Sequence, residues 1–208
     1  VIGRACVAAL MVVLKQVEEI RIYDINQDAA QKYCQELSET YGVRAVAVES
    51  VEAAVRGADV INVATAGAVS PEIQDEWLKE GVLLTLPASA ALSLNTMKSA
   101  RIVVDNWKMY EAYAQELRGL PGGYAANLSG ICGYLMDLVE GGEIPQQDIV
   151  NLGDVVAGKQ EGRRDDQERV IFIMDGMPIE DLAWGYTVYE NAKEMGLGTK
   201  LNLWEKTR

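Results

Sequence analysis

The chain has 208 residues, 49% of them apolar and 24% charged, and a net charge of −12. That is enough to bury the core of one domain or one and a half, and it excludes a disordered chain. The negative charge argues against nucleic acid and against anionic membrane surfaces, whose phosphates would be repelled.

Histidine is absent, and the three cysteines, Cys6, Cys34 and Cys132, are scattered. Ser-His-Asp and Cys-His catalysis are excluded, no metal site is expected, and a reducing cytoplasm is the expected location. No apolar run reaches the roughly 18–20 residues that span a bilayer, so no membrane association is expected.

Gly3 to Val17 is predicted helical, with Ala, Leu, Met and Val on nearly all sides. Such a helix is expected to be buried. Ile20 to Asp24 is a short strand. Asn26 to Tyr41 carries Ala29, Ala30, Tyr33, Cys34, Leu37 and Tyr41 on one helical side, with Gly42 as its stop. Val43 to Val48 alternates as a strand, and Ser50 starts a short helix that Gly57 ends. Asp59 to Ala64 is a buried strand running into Thr65-Ala66-Gly67-Ala68. Pro71 to Lys79 is predicted as a helix with proline in its first turn. Val82 to Leu86 and Arg101 to Asp105 are strands, with a turn or short helix at Asn95 to Ser99.

From Asn106 to Gly142 the alternation gives way to two helices, Trp107 to Arg118 and Leu128 to Glu140. Ile149 to Val156 is a strand or a short helix, and Arg169 to Met174 is a strand. Gly176 and Pro178 open a long helix to Glu194, and Lys200 to Trp204 is a last strand. In the long helix Leu182, Trp184, Tyr186, Val188 and Tyr189 are too crowded for one stripe, so cover on more than one side is expected. Strands alternating with helices at this spacing imply crossover units and a Rossmann-type doubly wound parallel sheet.

The first candidate site is the N-terminal stretch. Val1, Ile2, Gly3 and Arg4 open a helix, and Asp24 with Ile25 follows a strand roughly 20 residues on. That is the second half of a dinucleotide-binding unit: the helix N-terminus holds a pyrophosphate and the acid takes the ribose hydroxyls. A carboxylate at Asp24 repels a 2′-phosphate, which favours NAD over NADP. The chain opens on Val1, so the expectation is that a β-branched strand and Gly-x-Gly precede it. Ala64, Thr65 and Ala66, with Leu86 and Pro87, sit at strand C-termini, where ligands bind in open α/β sheets. The bland alternative is ordinary loops.

Asp105 reads as a base, a ribose ligand or a turn former, and Asp175 as a helix cap or a ligand-facing acid. Neither is assigned as the catalytic acid or base. Arg163 and Arg164, beside Asp165 and Asp166, read as a solvated ion-pair loop of small worth. Trp107, Tyr110 and Tyr113 read as core, and so does Cys6.

Several of these stretches form a recognisable set. Glu161-Gly162-Arg163-Arg164-Asp165-Asp166, Val170-Ile171-Phe172, Gly176 to Leu182 and Lys193 to Thr199 match E-G-R, an acid pair, a V-x-F strand, G-x-x-x-E-D and G-x-G-T. Val51 to Ile61 and Trp77 to Gly81 agree upstream. On these residues the chain resembles the ornithine cyclodeaminase/mu-crystallin family.

The resemblance implies a Rossmann domain for NAD(H) or NADP(H), here residues 1–195. It also implies a second domain for substrate and dimer contacts, to which 196–208 contributes a strand. It further implies an enzyme that transfers hydride at the α-carbon of a small amino acid or cyclic imine, with a homodimer as the expected assembly. The implied cofactor lining is Val1 to Arg4, Asp24, Ile25, Ala64 to Ala66, Leu86 and Pro87, with Met174 and Gly176 at the nicotinamide end. Ornithine cyclodeamination and non-catalytic NAD binding are the alternatives. The family's loop acid falls at or next to Ala90, and no carboxylate occurs between Gly81 and Asp105. The family's serine position is Met174.

Overall fold

Short β-branched runs and amphipathic helices alternate in this chain, and every strand pairs parallel with another. The computed structural model describes residues 1–65, 70–128 and 130–201. The strands are β1 (Glu19–Ile22), β2 (Arg44–Ala47), β3 (Val60–Asn62), β4 (Glu72–Ile73), β5 (Leu83–Leu86), β6 (Ala91–Leu92), β7 (Arg101–Val104), β8 (Val150–Asn151) and β9 (Val170–Ile173). The helices are α1 (Ile2–Val13), α2 (Gln27–Tyr41), α3 (Val51–Val55), α4 (Leu94–Ser99), α5 (Trp107–Leu117), α6 (Ile131–Glu140), α7 (Leu152–Val156) and α8 (Pro178–Glu194). Val1–Asp175 forms one compact unit, and Gly176 begins a second.

The first unit holds a five-stranded sheet in the order β3-β5-β9-β7-β8, a β1-β2 pair and a β4-β6 pair. This is the parallel α/β fold that the alternation implies. β9 is the last of these strands in sequence yet lies between β5 and β7. Its C-terminal end therefore meets theirs.

The sheet sorts its side chains by the strand period of two. Leu84, Leu86, Ile102, Val104, Ile171 and Ile173 enter the main core with residues of α5 and α6. Val103, Val150 and Val170, with Leu83 and Phe172, form a smaller cluster with Leu152 and Val155 of α7. Burying a side chain such as Leu84 stabilises the fold by about 1.5–3 kcal/mol.

The caps are where side-chain chemistry places them. Asn26 accepts a hydrogen bond from Ala29 N–H at 3.0 Å to start α2, and Gly42, at φ 67°, ends it. Ser50 accepts from Ala53 N–H at 3.1 Å to start α3. Arg21 of β1 donates to the carbonyls of Ala53 and Arg56, which holds β1 against the end of α3. Ile149 to Val156 is both of its alternatives: β8 and then α7.

Four expectations are corrected. Pro71 to Lys79 is not a helix: Glu72 and Ile73 form β4 beside β6, and Asp75–Trp77 is a single 3-10 turn. Ile73 is buried there, and Asp75 accepts from Arg169, Thr96 and Asn95. These tertiary contacts outweigh the N-terminal proline signal.

α1 buries no residue fully. Only Gly3, Cys6, Val7, Leu10 and Met11 are half-covered, the stripe one packing partner can reach. Arg4 pairs with Glu36 and lies over the Tyr33 ring, so α2 is one neighbour. Cys6 is thus half-covered rather than core.

α8 likewise buries none of its residues. It is the one helix of the second unit among the described residues, so that unit offers no second helix to cover it.

Finally, Arg164 pairs with Glu168, whose side chain is only 6% exposed, while Arg163 donates to Glu168 O. The loop is a closed clamp, with Asp165 accepting from Gln167 N–H and Glu168 N–H.

The expected last strand, Lys200 to Trp204, lies mainly outside the described residues.

Candidate active site

The C-terminal ends of the parallel strands gather the candidates in two groups. The first lies around α1. A Cβ on Gly3 would stand 3.6 Å from Ala64 Cβ, so the start of α1 abuts the end of β3. No side chain caps α1 at Val1. A helix start presents N–H groups that suit an anion. Val1 and Ile2 are exposed, and Arg4 is turned toward α2.

Asp24 and Ile25 are exposed beyond β1. Asp24 Oδ1 accepts from Asn26 N–H at 2.8 Å, which fixes the turn. Gln27 donates to Asp24 O and Val48 O, joining the ends of β1 and β2.

The ends of β3, β5 and β9 are laced together. Ala88 N–H donates to Val63 O at 3.1 Å, and Met174 N–H to Leu86 O at 3.3 Å. Leu86 itself points into the core, so only its backbone is at this edge. Thr65 is exposed; Ala66 and Gly67 lie outside the described residues. Below them Thr85 Oγ1 donates to Asn62 Oδ1 at 2.8 Å. Gly176, at φ 91°, belongs to the second unit.

The second group lies where β7 and β9 end. Asp105 is only 4% exposed. Its Oδ1 accepts from Asn106 N–H at 2.9 Å and its Oδ2 from Asp175 N–H at 2.9 Å. Asp175 does not cap α8, whose N-cap is Met177 without a side-chain bond. Instead its Oδ1 accepts from the Cys132 thiol at 3.7 Å. Burial, then the negative charge of Asp105, pushes the Asp175 carboxyl up, while the thiol contact opposes them. Burial and Asp175 push the Cys132 thiol up to about 12.

Tyr110 is fully buried, and its hydroxyl has no hydrogen-bond partner of ordinary geometry. Burial raises it first, and the neighbouring Asp105 adds to this. Its ring stacks on Trp107, with centroids 5.6 Å apart. Tyr110 is core, as expected, but it also borders the two acids. Cys132 and Tyr110 carried no sequence signal for this grouping, because residues 105, 132 and 175 meet only through strand order.

The ornithine cyclodeaminase/mu-crystallin family model matches residues 2–196. The chain belongs to this family. It is 31% identical to an alanine dehydrogenase of Archaeoglobus fulgidus over 192 residues, which is 88% of this chain and 52% of that protein. It resembles the structure of Thermococcus litoralis Delta(1)-pyrroline-2-carboxylate reductase in complex with NADH and L-proline. The TM-score is 0.75 at 26% identity, over 96% of this chain and 57% of that one. An archaeal alanine dehydrogenase dimer with bound NAD gives 0.72 at 26% identity, over 97% and 57%. The chain thus spans about half the length of the curated relatives it matches. Ala90, in the loop after β5, is buried in the main core.

Proposed function

We propose that the protein is an NAD-dependent enzyme that interconverts a small amino acid and its imine at the α-carbon. The observation that carries this is the contact of the α1 start with the end of β3, with Asp24 at the end of β1. The described residues fit NAD. The N–H groups at Ile2 to Arg4, at the start of α1, suit a pyrophosphate, the small pair Gly3 and Ala64 leaves backbone accessible, and Asp24 suits ribose hydroxyls. NAD supplies or accepts the hydride. The chain's part is to hold the dinucleotide along the ends of β3, β5 and β9 and to exclude water from the reacting carbon.

The structural relatives that hold NAD or NADH support the cofactor choice. The same proposal includes residues 1–195 as the NAD-binding domain, 196–208 as a strand of a substrate domain, a homodimer and a cytoplasmic location. Cyclodeamination of ornithine is the second reading, and the buried Ala90 in place of the loop acid weighs against it.

The test is turnover by the purified protein. NAD with a panel of amino acids should give NADH, and NADH with cyclic α-imino acids should be consumed. Ammonia release without net NADH would indicate cyclodeamination. Binding of NAD without either signal would leave a binding protein, and failure to bind NAD or NADP would refute the proposal.

A further inference from the structure

We propose that Asp175 is the proton donor and acceptor of the reaction, positioned by Asp105, and that it serves the nitrogen of the imine. This rests on the NAD-dependent reading above. Asp175 follows β9, the central strand of the five-stranded sheet. Ligands of open α/β sheets bind outside the carboxyl ends of the strands. The preceding residue, Met174, is bonded to the end of β5, whose next loop is bonded to the end of β3. The carboxyl therefore lies on the same sheet edge as the contact of Gly3 with Ala64.

Its surroundings suit proton transfer. Asp105 stands behind it, buried and anchored by two backbone N–H groups. Burial, then the neighbouring Asp105, raises the Asp175 carboxyl and so favours its protonated form. Asp175 is also the more exposed of the two acids, so a ligand can reach it. The groups facing it are Asp105 from β7, Tyr110 and Tyr113 from α5, and Cys132 from α6. None of them is a cation. The fully buried Tyr110 hydroxyl faces Asp105 and so closes the inner side of the acid pair. No other acid is available in the loop after β5, where Ala90 is buried.

The step balances. In the reducing direction the imine carbon takes a hydride from NADH and the imine nitrogen takes the proton of Asp175. The C=N double bond becomes a C–N single bond with new C–H and N–H bonds. NADH is oxidised to NAD⁺, the imine is reduced to the amine, and the carboxylate regains a proton from water. Amino-acid oxidation runs the same steps in reverse.

The experiment compares wild-type protein with Asp175→Asn, Asp175→Ala and Asp105→Asn. NADH is the reductant, and the probes are Δ1-pyrroline-2-carboxylate and pyruvate with ammonium. Asp175→Asn and Asp175→Ala are expected to lower kcat by about 10²–10⁴-fold, the worth of a general acid, without loss of NADH binding. The decline of wild-type kcat/KM with rising pH should vanish in Asp175→Asn. In Asp105→Asn it should move to lower pH, because the neighbouring charge is gone. A purely structural role would move neither limb. Carbon-13 NMR of labelled aspartate, without substrate, should show one carboxyl that stays protonated above the pH where exposed ones have ionised, and Asp175→Asn should remove it. Asp175→Asn, nearly the same shape, keeps the test open should Asp175→Ala fail to fold. Wild-type-like kcat and pH profile in Asp175→Asn would overturn the proposal alone, and so would an ordinary titration of Asp175. A wild-type protein that binds NADH but reduces neither imine would overturn the functional reading and this one with it.

Discussion

The backbone N–H of Asp175 donates to Oδ2 of Asp105 at 2.9 Å, joining the ends of β9 and β7 across a separation of 70 residues. Asp105 also accepts from Asn106 N–H. Asp105→Ala strips both donors of their acceptor in a buried setting. The expected cost is about 1–3 kcal/mol, read as a lower urea midpoint with an unchanged slope.

Asp175 makes a pH prediction with a definite sign. Its carboxyl is raised above the ordinary 3.8 in the folded protein. The folded state then binds more protons than the unfolded chain between those two values, so stability present at low pH is lost as pH rises through the folded value. Asp175→Asn removes this loss. Urea titrations across pH should show the variant gaining on wild type as pH rises from the ordinary aspartate range toward neutrality.

Asp24 should set the choice of dinucleotide. Asp24→Ala removes a charged acceptor, and a hydrogen bond to a charged group contributes about 1.5–3 kcal/mol. NAD affinity, followed by fluorescence titration, is expected to fall roughly tenfold to a hundredfold. Affinity for NADP should not fall with it, so the preference between the two narrows.

Two helical glycines should respond oppositely. A Cβ on Gly133 of α6 would meet Tyr124 O at 2.6 Å and Ala125 Cα at 2.9 Å, both backbone atoms. Gly133→Ala should cost about 1–3 kcal/mol by overpacking. A Cβ on Gly153 of α7 would meet nothing within 4 Å. Gly153→Ala should be neutral or add about 0.4–1 kcal/mol by restricting the unfolded chain. Thermal melts of the two variants check the pair.

Much of the fold was legible from local pattern. Asn26, Ser50 and Gly42 cap the helices that their chemistry announces, and β5, β7 and β9 fall on the runs where β-branched and aliphatic residues concentrate. The readings that failed were local signals overruled at long range. Pro71 and Glu72 look like a helix start, but pairing with β6 and the burial of Ile73 make a strand. The apolar surround of α1 looks like burial, but a helix beside one neighbour covers one stripe. Arg164 stands next to Asp165 and Asp166 in the chain, but its salt-bridge partner is Glu168, four residues on.

The candidate site divides the same way. By itself the sequence determined the parallel α/β class and the family, because strand period, helix caps and motif spacing are local properties of the chain. Only the tertiary structure decided that Asp105, Tyr110, Cys132 and Asp175 form one group, and that Gly3 rests against Ala64. The physical reason is the insertion of β9 between β5 and β7. Strand order is set by which hydrophobic faces pack together, and no spacing along the chain encodes it.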